Sequence, residues 1–496
     1  MQNHWDLPHR ARFVKRGRVG AVFLFLLWVC HAGVAAEPVQ TASPLPAKRL
    51  SMREAVLLAL RYNPSIQSQE LQRVVDKFAL RVAENNFELQ YALTASGQYG
   101  RSITNNISIY SSGTQVTQTT TLNNSLGTQF SAQVNNLTST QGINTTNVTL
   151  SVTQPLMQGF GEEVTLAGIR NARDSEFLSR LNLKNTTAQA ITIIISDYRQ
   201  VVAAVNQLKI QRLTLENDSK TYRQLELQIK SGQRAPAEAV QSKAAIAQDN
   251  LSIKQSENLL AQAKQTLLND IGLNPCTPID VMSDIDTQNL KVPLLEEAMQ
   301  VGLANNFAYQ ASLIQQGQNR RNLVVAKDQE RTSLNLTLSN TLGDGQGLNM
   351  SNLNGSNDSQ QNVQVEVSVP IRNFAKKQAV LQAKVAIEQQ EVAIAQSRRN
   401  LETQVINAIT NLKLLKQQVE LAKQARDLAK RNLEISKIKL SYGRVTMFEV
   451  SNLQNSLTSS ELAVVSNQIN YLNALSQLQF LIGTTLNTWD IQLRDK

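Results

Sequence analysis

Residues 147–155 read Asn-Val-Thr-Leu-Ser-Val-Thr-Gln-Pro, and residues 362–370 read Asn-Val-Gln-Val-Glu-Val-Ser-Val-Pro. In the first, Val148, Leu150 and Val152 alternate with Thr149, Ser151 and Thr153. In the second, Val363, Val365, Val367 and Val369 alternate with Gln364, Glu366 and Ser368. Successive side chains of a strand point to opposite faces, so each stretch predicts a strand with one apolar and one polar face. A similar run precedes each. Leu89, Tyr91, Leu93 and Ala95 alternate with polar or small residues, as do Leu334, Leu336 and Leu338. The sequence thus predicts four strands, at about 89–101, 145–155, 332–341 and 362–370. Polar loops rich in Asn, Ser, Thr, Gln and Gly separate them, over about 102–145 and 343–360.

Both strand pairs sit inside a larger repeat. Glu54 to Asn63 returns as Glu297 to Asn306 at an offset of 243, and Asn147 to Pro155 returns as Asn362 to Pro370 at 215. Gly232 to Glu238 returns as Gly443 to Glu449, and Ile271-Gly272 as Ile482-Gly483, both at 211. Matches in the same order mark a duplication. The repeats span 50–275 and 294–486, with Pro275, Pro278 and Pro293 placing a linker over 276–293. A further linker precedes at 37–49, and a tail follows at 487–496. Each repeat opens on a short helix, the first capped by Ser51 and Glu54. The falling offset assigns shorter loops to the second repeat.

After its strands each repeat turns to heptads. Ile191, Ile194, Tyr198, Val201, Val205 and Leu208 step by three and four, as do Leu401, Val405, Ala408, Leu412, Leu415, Val419 and Ala422. This is a coiled-coil seam. It predicts helices of roughly 70 Å or more at 1.5 Å per residue. The helices end near Ser231 and Ser441, and a partner helix returns to Ile271 or Ile482. Each repeat therefore carries a long helical hairpin, turning at Gly232 or Gly443.

Composition narrows the chemistry. The chain has 49 Lys plus Arg against 39 Asp plus Glu, a net charge of +10, with 18% of residues charged. Arg10 to Arg18, the apolar run Val19 to Val29 and Val34-Ala35-Ala36 read as a signal peptide over 1–36. Without it the charge falls to about +6, which gives no reason to invoke nucleic acid. The three histidines, His4, His9 and His31, all lie in that leader, and the cysteines are Cys30 and Cys276. Lipid attachment at Cys30 is disfavoured, because Val29 is not the small residue wanted before a lipidated cysteine. The remaining chain can build no Ser-His-Asp or Cys-His catalytic set and no histidine or four-thiolate zinc site. Gly343, Gly345 and Gly347 resemble part of a phosphate loop, but no helix follows to receive an anion. Asp284, Asp286, Asp344 and Asp358 suggest no metal or sugar site, and Cys276 gets no role. No cofactor or catalytic residue is expected.

Four two-faced strands cannot bury their apolar faces by themselves. A closed barrel in lipid turns them outward, and eight strands is the usual minimum. Several chains must then share one barrel, and three would supply twelve strands. Tyr91, Tyr99 and Phe130 are candidates for an aromatic girdle. The alternative is a periplasmic coiled-coil scaffold or adaptor without a pore.

The ordered duplication resembles the TolC-like outer-membrane efflux proteins of Gram-negative bacteria. The likeness rests on Glu54-Ala55 and Glu297-Ala298, Gln154-Pro155-Leu156 and Val369-Pro370-Ile371, and the turns at Gly232 and Gly443. It rests also on the endings Leu268 to Gly272 and Gln479 to Gly483. The resemblance implies an α+β membrane protein. Its homotrimer would have one twelve-stranded barrel and a long periplasmic helical tunnel. It further implies a passive exit duct for efflux or type I secretion, partnered by a periplasmic adaptor and a proton-driven or ATP-driven inner-membrane pump. At the periplasmic tip it assigns the gate to Glu449 and Asn452, with one charge where some members have two. It assigns tip and adaptor contacts to Gly232, Arg234, Glu238, Gly443 and Arg444. Basic residues beside the turns would hold the tip shut.

Overall fold

The computed structural model describes residues 48–104, 107–139, 144–282, 292–343 and 359–491. The readings of a signal peptide, of Cys30 and of Asp284, Asp286, Asp344 and Asp358 lie outside the described residues. The elements run β1 (Lys48–Leu50), α1 (Met52–Tyr62), α2 (Pro64–Asn85), β2 (Gln90–Thr104), β3 (Ile107–Asn123), β4 (Gln129–Ser139), β5 (Asn144–Pro155), α3 (Glu162–Thr165), α4 (Ala167–Lys230) and α5 (Pro236–Ile271). There follow β6 (Ile279–Val281), α6 (Leu295–Asn305), α7 (Phe307–Glu330), β7 (Ser333–Gly343), β8 (Ser359–Ser368), α8 (Phe374–Ser441), α9 (Met447–Leu481) and α10 (Thr485–Thr488).

The duplication governs the core. In the first repeat Ala55 of α1 packs with Ile194, Tyr198 and Val201 of α4 and with Leu267 and Ile271 of α5. In the second, Ala298 of α6 packs with Val405, Ile409 and Leu412 of α8 and with Leu478 and Ile482 of α9. The hairpin residues named here match one for one at the offset of 211: Ile194 with Val405, Tyr198 with Ile409, Val201 with Leu412, Leu267 with Leu478 and Ile271 with Ile482. Asn63 and Asn306 match at the offset of 243. Asn63 accepts from the Ser65 and Ile66 amides, capping α2, and its side-chain amide donates to the Asp270 carbonyl at 2.6 Å. Asn306 accepts from Tyr309, capping α7, and donates to the Leu481 carbonyl at 3.1 Å. One side chain thus starts a helix and ties it to the end of the hairpin in each repeat.

The long helices exceed the expectation. α4 has 64 residues and α8 has 68, or about 95 and 100 Å at 1.5 Å per residue. Arg199 of α4 joins the two hairpins by donating to the Leu472 carbonyl, Asn473 Oδ1 and Ser476 Oγ of α9. Burial pushes its guanidinium pKa down to about 10, and the three acceptors hold the charge in place. Nearer the turns, the hydroxyls of Thr214 and Thr458 meet at 2.9 Å across α4 and α9.

The 276–293 linker carries β6, which pairs in parallel with β1. One expectation needs correction: the segment 102–145 is not a polar loop. It contains the whole of β3 and β4, so one antiparallel sheet runs β2-β3-β4-β5-β7-β8, six strands rather than four. β3 is rich in threonine and glutamine, and its apolar alternation is too sparse for a period-two reading. Gln118 and Thr120 stand where Val or Leu would mark the face. After α9, Leu486, Trp489 and Ile491 pack on Val56, Ile191 and Ile195.

Candidate functional site: a two-faced sheet and a paired hairpin tip

The pairing register keeps the two faces of the sheet separate across all six strands. Leu93 lies opposite Gln118, Leu122 opposite Phe130, Ala132 opposite Leu150, Val152 opposite Leu338, and Leu336 opposite Val365. On the other face Thr94 meets Thr117, Thr117 meets Asn135, Ser131 meets Ser151, Thr153 meets Thr337, and Thr337 meets Gln364. There the side chains bond in rows: Thr117 donates to Asn135 at 2.7 Å, the Ser131 and Ser151 hydroxyls meet at 2.6 Å, and those of Thr149 and Thr341 at 3.1 Å. The apolar face is open. Its Tyr91, Leu93, Val116, Leu122, Phe130, Leu150, Leu338, Leu342, Val363, Val365 and Val367 are exposed by 36% to 74%. Burying such a side chain is worth about 1.5–3 kcal/mol, so a sheet left this way needs an apolar environment. In the six strands only Arg101 and Glu366 carry charge. Tyr91 and Tyr99 share the apolar face, as a girdle requires.

At the far end of the hairpins, two turns repeat one geometry. The Gly232 amide donates to the Ile229 carbonyl at 3.0 Å and the Gln233 amide to Gln228 at 2.9 Å; Gly443 donates to Leu440 and Arg444 to Lys439, both at 3.0 Å. Each is a Schellman closure, which satisfies the last helical carbonyls with a left-handed residue. Gly232 and Gly443 supply it at φ 75° and 72°. Pro236 opens α5 at the first helical position, while Thr446 accepts from the Glu449 amide to cap α9.

Arg234 is largely buried in this tip. It pairs with Glu238 at 3.2 Å and donates through its other terminal nitrogen to the Leu440 carbonyl at 2.8 Å. That carbonyl sits in the last turn of α8, so Arg234 ties the first hairpin to the second. Arg444 is exposed and does not occupy the equivalent place. Glu449 and Asn452, three residues apart on α9, both face solvent, while Met447 and Val450 turn inward. The sequence expectation thus places Arg234 and Glu238 together and leaves Glu449 and Asn452 on one open helix face.

Reasoning from sequence missed a buried acidic pair. Asp218 of α4 and Asp249 of α5 are both buried. Burial, then the Asp218 charge, pushes Asp249 up to about 7; burial raises Asp218 also, against the opposing pull of Lys437. Asp197, beside Asp270, is likewise pushed to about 7 by burial. The lower pair lies beyond the heptads at Ile191 to Leu208, and residue type alone does not mark it.

Comparison places this architecture among known folds. Residues 298–484 match the family model described as outer membrane efflux protein. No curated protein matches the chain significantly in sequence. Among solved structures, the Campylobacter jejuni CmeC outer membrane channel aligns at 14% identity and TM-score 0.67, over 88% of this chain and 86% of that one. The outer membrane protein VceC of Vibrio cholerae aligns at 14% identity and 0.68, over 87% and 96%. The open Neisseria gonorrhoeae MtrE outer membrane channel aligns at 16% and 0.65, over 88% and 89%. The second repeat of the chain is similar to the outer membrane efflux protein family, and the fold across both repeats is that of the outer membrane channels CmeC, VceC and MtrE.

Proposed function

We propose that three copies of this chain form a passive exit duct across the outer membrane and periplasm of a Gram-negative bacterium, for efflux or type I secretion. The observation that carries this reading is the open sheet. Its apolar face suits lipid and its hydroxyl- and amide-lined face suits water, yet one chain leaves both sheet edges unpaired. Joining the sheets of three copies closes a transmembrane barrel, and the hairpins of three copies wall a helical tunnel. The chain itself has no catalytic role. An inner-membrane pump, proton-driven or ATP-driven, supplies the energy, and a periplasmic adaptor meets the tip around Gly232, Glu238, Gly443 and Arg444.

The exposed Glu449 and Asn452 would line the constriction in the trimer, giving one ring of three carboxylates beside a neutral ring. Arg234, bridging to the Leu440 carbonyl, would hold the resting tip closed. Membrane fractionation, chemical crosslinking and planar-bilayer recording test the reading together. Outer-membrane trimers with unitary conductance steps are expected. A soluble periplasmic monomer without conductance would overturn it in favour of a scaffold or adaptor.

A further inference from the structure

We infer that all six strands of each copy enter the barrel wall, so that β8 of one copy pairs with β2 of the next and three copies close eighteen strands rather than twelve. The inference rests on the exit-duct reading and goes beyond it.

An outer loop that merely folds on itself would not cross the sheet, whereas β3 does. It pairs with β2 from Thr104↔Ile107 down to Gln90↔Thr121. The chain then turns at the helical side of the sheet. There Asn123 donates to the Asn86 carbonyl at 2.9 Å, and the Gly161 amide to the Leu126 carbonyl at 3.3 Å. Gly127, at φ 94°, lies so close to the Gly159 carbonyl that a Cβ would overlap it. From this anchored turn β4 crosses again and pairs with β5 over Gln129↔Thr153 to Thr138↔Asn144. β3 and β4 therefore span the same height as their neighbours.

The faces continue as well. An open groove of about 650 Å3 runs along the apolar side from Leu122 on β3 through Phe130 and Ala132 on β4 and Leu150 on β5 to Leu338 on β7 and Val363 on β8. Lipid contact for β7 and β8 on this face means lipid contact for β4 and β3. A hairpin removed from the wall would break two complete hydrogen-bond ladders and expose its backbone groups. The free edges are those of β2 and β8, with 15 and 10 residues, long enough to cross a bilayer as tilted strands. An open edge in lipid must find another strand, and a further copy of this chain offers the matching one. Barrel diameter grows roughly linearly with strand number, so the outer mouth would be about one and a half times as wide as that of a twelve-stranded duct.

The test uses the full chain reconstituted in lipid vesicles, with the exposed Cys276 replaced by serine. Single cysteines at Val116 and Val134 report the apolar face of β3 and β4; those at Thr119 and Gln133 report the polar face. A water-soluble maleimide should modify the second pair readily and the first pair many-fold more slowly, while a fluorophore at the first pair is quenched by brominated lipid. Labelling of Val116 and Val134 as fast as Thr119, without quenching, would place the hairpin outside the wall. Cryo-electron microscopy of unsubstituted trimers in nanodiscs supplies an independent strand count: eighteen supports the inference, and twelve in a membrane-embedded trimer overturns it while leaving the duct standing. A soluble monomer would overturn both.

Discussion

The Arg234 guanidinium of the first hairpin donates to the Leu440 carbonyl of the second at 2.8 Å. The acceptor lies in the last turn of a 68-residue helix and also receives the Gly443 amide; there a positive charge meets the negative end of the helix dipole. Arg234→Ala removes a charge-assisted bond of about 1.5–3 kcal/mol and leaves Glu238 without its partner. The expected result in planar bilayers is a larger or more frequently open resting conductance, with Arg234→Lys intermediate. Unchanged conductance in an intact trimer would show that this bridge does not hold the tip.

The proposed gate at the tip carries a prediction for ion preference. Glu449→Gln should lower the permeability ratio of cations to anions, read from the reversal potential in a salt gradient. Asn452→Asp should raise it, since the three-charge ring becomes six. Opposite signs for the two variants are the expected signature. If neither shifts the reversal potential, these side chains do not line the constriction.

The buried pair makes stability depend on pH. Asp249 has a folded pKa of about 7, above its ordinary 3.8. Its stabilising contribution is full below about pH 4 and is lost as pH rises through 7, because the ionised form is disfavoured inside the protein. The melting temperature should therefore fall between pH 5 and 8. Asp249→Asn should flatten that slope. Circular dichroism melts at several pH values provide the check, and an equal slope in the variant would remove Asp249 as its source.

Two glycines with the same backbone handedness should respond differently to alanine. Gly232 sits at φ 75° with open space where a Cβ would go, so Gly232→Ala costs about 1–2 kcal/mol from the left-handed conformation alone. Gly272, at φ 91°, faces the Tyr62 carbonyl at overlapping distance. Gly272→Ala must also push α1 and α2 away, and should lower the melting temperature further. Equal losses would mean that the Tyr62 contact gives way freely.

Much of this architecture is legible in the residues themselves. The heptads at Ile191 to Leu208 and Leu401 to Ala422 fix the long helices, because a 3.5-residue period has no other use over such lengths. Gly232 and Gly443 mark the turns, since a left-handed helix end favours glycine. The hidden part is β3 and β4. Their apolar-face positions include Gln118 and Thr120, and a face so weakly apolar is recognised only once register sets it beside Phe130 and Leu93. The drop in repeat offset from 243 to 215 was the available sign that the first repeat holds extra structure there. Of the tip, the turns were plain, but the reach of Arg234 to a backbone carbonyl has no signature in residue type. The Asp218–Asp249 pair stayed hidden because an acid in a long helix reads the same whether it points to solvent or to its twin.

The two hairpins are not filled alike near their turns. In the second, Leu433, Val450 and Leu457 form an aliphatic cluster beside the buried but uncharged Ser436, Gln454 and Thr458. In the first, the buried residues of the corresponding stretch include Thr214, Asp218, Ser242 and Asp249 beside Leu225 and Ile253. Local opening costs least where little apolar surface is withdrawn from water. Backbone amides of α4 and α5 toward Gly232 should therefore trade their protons for deuterium sooner than those of α8 and α9 toward Gly443. The first hairpin is then the compliant half of each duplicated unit, and the second is the strut against which it yields.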